Sequence, residues 1–274
     1  SNASPRNGTG LNREVPGRQE ECAMTEDLEN REAQAPAAVV DDKTPLVLTK
    51  RDHDLLQFAH EQRYLCYNQI SGTFWKGCSE ETNTCKHRVS KLVSAGYLSK
   101  QYSGRKKLDI YFASEKAVDA LKARSLDSGI PAFGVSRYFE RYISHDLHVT
   151  DLRLLFQELG WRDWTSERQL LERDHMFHRP DGVLTVRGMK IAIEFENKIT
   201  KGKARYQKLF ETYDSHDGYK LIFVIILGDI RDWLLDLKYD ARKLWFADYE
   251  DLMNEKGKTF FENKRGEFEL SRLL

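Results

Sequence analysis

The unbroken apolar run Leu221-Ile222-Phe223-Val224-Ile225-Ile226-Leu227 constrains the fold of this chain more than any other feature. It is far shorter than the ~18 apolar residues that suggest a membrane-crossing helix. A short run rich in β-branched residues reads as a strand buried on both faces, which needs helices above and below it. The expectation is therefore an α/β fold with a central mixed sheet. Neighbours for that strand lie on either side in sequence. Residues 161–171 hold a first strand, and residues 177–186 and 189–195 read as two more, separated by Arg187-Gly188, a pair suited to a tight antiparallel hairpin. Residues 204–213 read as a helix, as do residues 146–159, where Leu147, Leu152, Leu155, Phe156 and Leu159 fall near helical spacing before Gly160. Residues 232–239 suggest a further helix and residues 244–247 a further strand, completing the sheet.

Acids stand in the hairpin where a strand is usually apolar. With Arg187-Gly188 at the tip, facing positions sum to a constant, so Asp181 lies opposite Glu194, with Cβ atoms ~4.5–5.5 Å apart. Two carboxylates that close repel unless a cation or a proton lies between them. Alternation puts Glu194, Glu196 and Lys198 on one face and Met189, Ile191, Ile193 and Phe195 on the other. One face is expected to pack and the other to carry chemistry. The bland alternative is a solvated acidic cluster at a sheet edge.

Pro180-Asp181 followed by Glu194-Phe195-Glu196-Asn197-Lys198 resembles the PD-(D/E)XK nuclease superfamily, whose members hold Mg²⁺ on such residues to hydrolyse phosphodiesters. Two registers fit. With Glu194 as the motif acid, Glu196 takes the lysine position; with Glu196 as the motif acid, Lys198 takes it. The hairpin geometry favours the first. The resemblance implies Mg²⁺ or Mn²⁺ on Asp181 and Glu194, with Glu196 or Lys198 orienting or deprotonating water. The segment 205–213, with Gln207 and its tyrosines, resembles a helix that follows the catalytic strand in some relatives, and Glu167 is a candidate further acid.

A second pattern precedes this one. Thr49 can cap a helix through Leu55, Leu56, Phe58 and Ala59; residues 65–75 read as a second helix; Ser79 can cap a third through Val89, Leu92 and Val93, ended by Gly96. Tyr97-Leu98 and Leu108-Asp109-Ile110-Tyr111-Phe112 read as strands joined by a basic turn at Ser103-Gly104. Three helices and a hairpin resemble a winged helix-turn-helix. The whole chain balances 43 basic against 43 acidic residues, yet from Lys86 to Lys107 there is no acid. Such a stretch is a footprint for phosphate. The candidate DNA contacts are Thr82, Asn83, Thr84, Lys86 and His87 at the front of the recognition helix, with Arg88, Lys91, Arg105, Lys106 and Lys107. A solvated basic face is the bland alternative.

Together, an N-terminal winged helix and a C-terminal PD-(D/E)XK-like α/β domain resemble the replication-relaxation family, which includes plasmid mobilisation accessory proteins of the relaxosome. Residues 144–153 resemble that family's His-x-Leu-x-Val-x-Asp-Leu-Arg signature, through His145, Leu147, Val149, Asp151, Leu152 and Arg153. The resemblance implies binding to double-stranded DNA at an origin or operator, beside a relaxase or replication initiator. Two functions stay open: a DNA-binding accessory factor, and a metal-dependent DNA endonuclease positioned by its winged helix.

The expected organisation is a disordered arm over 1–45, a winged helix over 46–123, a linker over 124–143 and a nuclease-like domain over 144–274. The arm opens with Ser1-Asn2-Ala3, which looks like an expression scar, and its lack of aromatic residues leaves little to bury. Tyr138, Phe139 and Tyr142 are expected to pack the joint. Ser144 and Asp146 are expected to cap the helix that follows, with His145, His148 and Asp151 packing at its start rather than binding metal. Cys22, Cys66, Cys78 and Cys85 lack zinc-ligand spacing, and Cys66 and Cys85 read as buried thiols. Without a secretory or membrane-spanning segment, the expected location is the cytoplasm.

Overall fold

A computed structural model describes residues 46–77, 83–126, 129–134, 139–173, 178–197 and 202–273. The expected arm, Cys22, Cys78, Ser79, Thr82, Tyr138 and Lys198 lie outside them. The fold is mixed α/β. Among the described residues no helix is long and apolar enough to cross a membrane.

Helix α1 (Lys50–Gln62) starts at a complete capping box: the Thr49 hydroxyl accepts from the Asp52 N–H, and the Asp52 carboxylate accepts from the Thr49 N–H at 2.7 Å. The expected second helix is shorter than its apolar pattern suggests. Leu65–Cys66 form strand β1, because they pair with the later hairpin, and α2 (Tyr67–Phe74) begins only after the Gln69 side chain accepts from the Cys66 N–H at 3.0 Å. Helix α3 (Thr84–Ser94) ends where Gly96 takes φ 76°, as expected of a glycine stop. Strands β2 (Leu98–Ser103) and β3 (Leu108–Ala113) form the hairpin, and with β1 they make a sheet ordered β1-β3-β2. Helix α4 (Glu115–Lys122), capped by Ser114, packs Ala117 and Leu121 into the same cluster as Leu55, Leu56, Val89 and Leu92. That helix was not anticipated.

The second sheet has seven strands. Helix α5 (Phe139–Glu158) precedes it, then β4 (Trp164–Ser166), α6 (Glu167–Arg173), β5 (Gly182–Val186), β6 (Met189–Glu196), α7 (Lys203–Ser215) and β7 (Leu221–Ile226). After these come α8 (Arg231–Leu235), β8 (Leu244–Asp248), α9 (Tyr249–Glu255), β9 (Phe260–Asn263) and β10 (Gly266–Glu269). The order β10-β9-β8-β7-β6-β5-β4 puts β7 at the centre, parallel to both neighbours. The apolar run is thus the buried middle strand that its composition demands. The first strand and the helix near residue 235 are shorter than expected, and β9 and β10 were not anticipated.

Helix α5 departs most from expectation. It begins at Phe139, inside the segment read as linker, so Ser144 and Asp146 are interior residues and not caps. Phe139 packs as expected, whereas Tyr142 is exposed. The signature-like stretch on this helix ties the two parts together. The Arg153 guanidinium donates to Glu61 at 2.5 Å and Gln62 at 3.3 Å on α1, and Asp151 accepts from Gln69 at 2.8 Å and Tyr249 at 3.0 Å. Strand β3 is covered on both faces. Tyr111 and Ala113 join the helical cluster, while Leu108, Ile110 and Phe112 pack with Ile143 and Leu147 of α5 and with Phe133.

Candidate functional site

The hairpin register is the one the turn predicts. Arg187 and Gly188 take φ 51° and 79°, both positive as a type I′ turn requires, and the ladder runs from Val186↔Met189 to Gly182↔Ile193. Asp181 and Glu194 are the next pair out. There the ladder stops, and the Asp181 carboxylate itself accepts from the Phe195 N–H at 2.8 Å. Gly182 is needed beside it: a Cβ there would lie 2.1 Å from the Trp164 ring.

Both faces of β6 are covered, the one expected to carry chemistry as well as the one expected to pack. Ile191, Ile193 and Phe195 meet α5 and the far strands, while the Glu194 and Glu196 face lies under α7. Tyr206, Phe210 and Tyr213 fall on one side of α7 and reach that face. Glu194 and Glu196 are each 5% exposed. The Tyr213 hydroxyl donates to Glu194, His178 Nε2 lies 2.7 Å from the same Oε1, and the Tyr206 hydroxyl donates to Glu196 at 2.8 Å. Burial pushes the Glu194 carboxyl up, with Asp181 adding to it, against the pull of the His178 and Tyr213 hydrogen bonds. Burial and the Glu194 charge together push the Tyr213 hydroxyl well up. Gln207 faces away and bonds the backbone of Lys238.

Asp181 also has a partner on α5. His145 Nε2 lies 3.3 Å from Asp181 and Nδ1 3.3 Å from Asp146. Burial works against its charge, but Asp181 and Asp146 outweigh burial, and the imidazole is pushed up to about 11, so it is a cation at neutral pH. Asp146 also accepts from Tyr64 at 2.8 Å and Arg63 at 3.4 Å, and Arg63 reaches Glu167 at 2.6 Å. Arg63 holds φ 80°, a rare value for a residue with a side chain. Asp181, His145, Arg63 and Glu167 border a crevice of about 10 Å³, the size of one water.

Asp181 and Glu194 are therefore brought together, each bonded to a histidine, with Glu196 one turn of the pleat away on a tyrosine. Carboxylates of this kind are the donors a hard divalent cation prefers. Among the described residues, however, no group of three or more histidine, cysteine or acidic side chains is arranged to hold a metal ion. Sequence reasoning missed His178, Tyr64 and Arg63; it expected His145 to pack, as it does on Phe195, but not to pair with Asp181. The spacing of Tyr206 and Tyr213, two helical turns apart, was the one visible signal of the cover over the acids.

Of the expected DNA contacts, Asn83, Thr84, Lys86, His87 and Lys91 are exposed on α3, and Arg105 and Lys107 are exposed on the turn between β2 and β3. Arg88 belongs elsewhere: its guanidinium forks onto the buried Asp52, with Nε–H to Oδ1 at 3.0 Å, and donates to the Val47 carbonyl at 2.8 Å. It fastens α3 to the start of α1. Lys106 is half-buried and lines a cleft of about 1130 Å³ bordered by α1, α2 and α5. Cys85 is buried and Cys66 half-buried, where burial pushes its thiol up.

No protein-family model, curated protein or solved structure matches this chain.

Proposed function

We propose that this protein is a DNA-binding accessory factor: a winged helix formed by α1 to α4 and the β2–β3 hairpin grips duplex DNA, beside a PD-(D/E)XK-like domain that serves as scaffold rather than nuclease. The observation that carries the reading is the exposed, acid-free front of α3. Asn83, Thr84, Lys86 and His87 all face solvent there, with Lys91 exposed in the last turn, while the internal cation Arg88 is separately engaged. A helix that presents polar and cationic side chains from its first turns is suited to a major groove. The element order α5, β4, α6, β5, β6, α7, β7, which is helix, three strands, helix, strand with the short α6 inserted after the first strand, supports the nuclease-like reading of the second part. The histidine and tyrosine partners of Asp181 and Glu194 favour a scaffold, because a metal would have to displace them. The resemblance of residues 144–153 to the replication-relaxation signature adds an origin or operator as the DNA site and a relaxase or initiator as the partner.

The test is a pair of measurements on the full chain. Fluorescence anisotropy should detect salt-sensitive binding to a mixed-sequence duplex that weakens in Lys86→Ala/Lys91→Ala. Calorimetric titration with Mg²⁺ or Mn²⁺, run beside incubation with supercoiled plasmid, should give neither uptake nor nicking. Uptake and nicking that both vanish in Asp181→Ala/Glu194→Ala would replace this reading with that of a metal-dependent endonuclease. In that case Asp181 and Glu194 would hold the metal, and Glu196 or Lys198 would act on the attacking water.

A further inference from the structure

The cleft bordered by α1, α2 and α5 encloses about 1130 Å³. That exceeds the roughly 300–1,000 Å³ of an ordinary small-molecule pocket and suits a stretch of another chain. Its floor lies where three apolar clusters reach the surface. Phe74 and Leu154 come from the helical cluster, Leu108 from the cluster between β3 and α5, and Met253 from the large sheet, each of them half-buried. The aromatic rings are occupied within the protein: Phe74 packs on Phe58 at 5.9 Å, and the Arg153 guanidinium sits over the Phe58 ring. Leu108, Leu154 and Met253 are left as apolar surface, which suits aliphatic side chains better than a stacked base.

The charges along the cleft differ in what they leave over. Its acids are engaged: Asp54 pairs with Lys50 at 2.7 Å, Glu61 with Arg153 at 2.5 Å and Glu158 with Lys256 at 2.9 Å, while Asp151 accepts from Gln69 and Tyr249. Lys76, Lys106 and Arg162 line the same cleft with no ion pair among the described residues. The floor adds a donor. Arg153 is 6% exposed and gives its Nη atoms to Glu61 and Gln62, but its Nε–H has no acceptor among the described residues. A buried donor without an acceptor is costly, and a carboxylate or carbonyl entering the cleft would satisfy it.

We infer that this cleft docks an acidic amphipathic segment of a partner protein, whose aliphatic side chains rest on Leu108, Leu154 and Met253 while its carboxylates meet Lys76, Lys106 and Arg162. A basic segment would face three cations with every acid already taken. The inference goes beyond the DNA-binding reading and does not rest on it, since the surface is separate from the front of α3. Walled by α1 and α2 on one side and α5 on the other, the cleft lets one occupant touch both parts of the chain.

Gly72 on α2 supplies a blocking variant, because it is exposed on the cleft and a Cβ there meets no atom within 4 Å. The experiment is anisotropy titration of the full chain with a labelled amphipathic helical peptide, leucines on one face and glutamates elsewhere, and with its twin carrying lysine for every glutamate. The glutamate peptide is expected to bind and the lysine twin not to. Lys76→Ala/Arg162→Ala should weaken the glutamate peptide about two- to thirtyfold, the range for two exposed ion pairs. Gly72→Trp should remove its binding while leaving the melting temperature and duplex DNA binding as in wild type. Equal binding of the twins, binding of neither, or a Gly72→Trp chain that binds like wild type would overturn the inference. So would a single-stranded oligonucleotide that Gly72→Trp displaces in place of the peptide, which would make the occupant a nucleic acid. Loss of duplex binding with peptide binding intact would sink the α3 reading alone.

Discussion

Replacing Arg153 by methionine tests whether α5 is an internal joint. The side chains of Arg153 and Glu61 are each 7% exposed, their ion pair measures 2.5 Å, and the guanidinium lies 4.1 Å from the centre of the Phe58 ring. Methionine fills much of the space but leaves the Glu61 carboxylate buried with only the Gln57 amide, 3.0 Å away, to donate to it. Breaking a buried pair by removing one partner costs about 3–5 kcal/mol, against roughly 0–1 kcal/mol for an exposed pair. For a chain of this size that loss lowers the melting temperature by about 6–20 °C. Urea unfolding followed by tryptophan fluorescence reads it. Arg153→Met/Glu61→Leu should recover most of the loss, since a well-packed apolar pair commonly replaces a buried ion pair at little cost. A single variant within about 1 kcal/mol of wild type, as an exposed pair would give, would refute the reasoning. So would a double variant less stable than the single one.

Other outcomes follow from the same geometry. Arg88→Ala is expected to cost about 1.5–3 kcal/mol in urea unfolding, the range for a hydrogen bond to a charged group, and to leave the salt slope of DNA binding unchanged, because its fork holds Asp52. Lys86→Ala/Lys91→Ala should do the reverse. Gly182→Ala is expected to destabilise by about 1–3 kcal/mol through overpacking against Trp164, and a smaller ring in Trp164→Phe should relieve part of it. His145 has a folded-state pKa raised to about 11 from an ordinary 6.5, so its contribution is fully present below 6.5 and is lost as pH rises through 11. A series of urea midpoints across that window should fall more steeply for wild type than for His145→Gln, and parallel curves would show that the imidazole is not charged.

The hairpin was legible because its information is local. Arg187-Gly188 fixes the turn, the turn fixes the register, and the register fixes Asp181 against Glu194. The central strand was legible for a similar reason, since a run with no polar residue tolerates no solvent on either face. The cover over the acids was not. Tyr206, Phe210 and Tyr213 announce an apolar stripe, but nothing nearby in sequence says which face of which sheet the stripe meets. The start of α5 was hidden because it follows closely on Gly129, Pro131 and Gly134, which read as a linker, and β1 because a two-residue strand exists only by virtue of its partner on β3. His145 shows the same limit: its acidic neighbour Asp146 is adjacent, whereas Asp181, the residue that makes it a cation, arrives from a different sheet strand's edge.

The double cover of β3 has a consequence for how this protein can be taken apart. A fragment ending near Leu121 keeps every side chain proposed to touch DNA, yet it bares Leu108, Ile110 and Phe112, which in the whole chain rest on α5 and Phe133. The smallest piece able to recognise a partner is thus smaller than the smallest piece able to stand by itself, and a dissection aimed at the first would yield a sticky, self-associating product. Any transplant of this recognition surface onto another protein has to carry α5 with it.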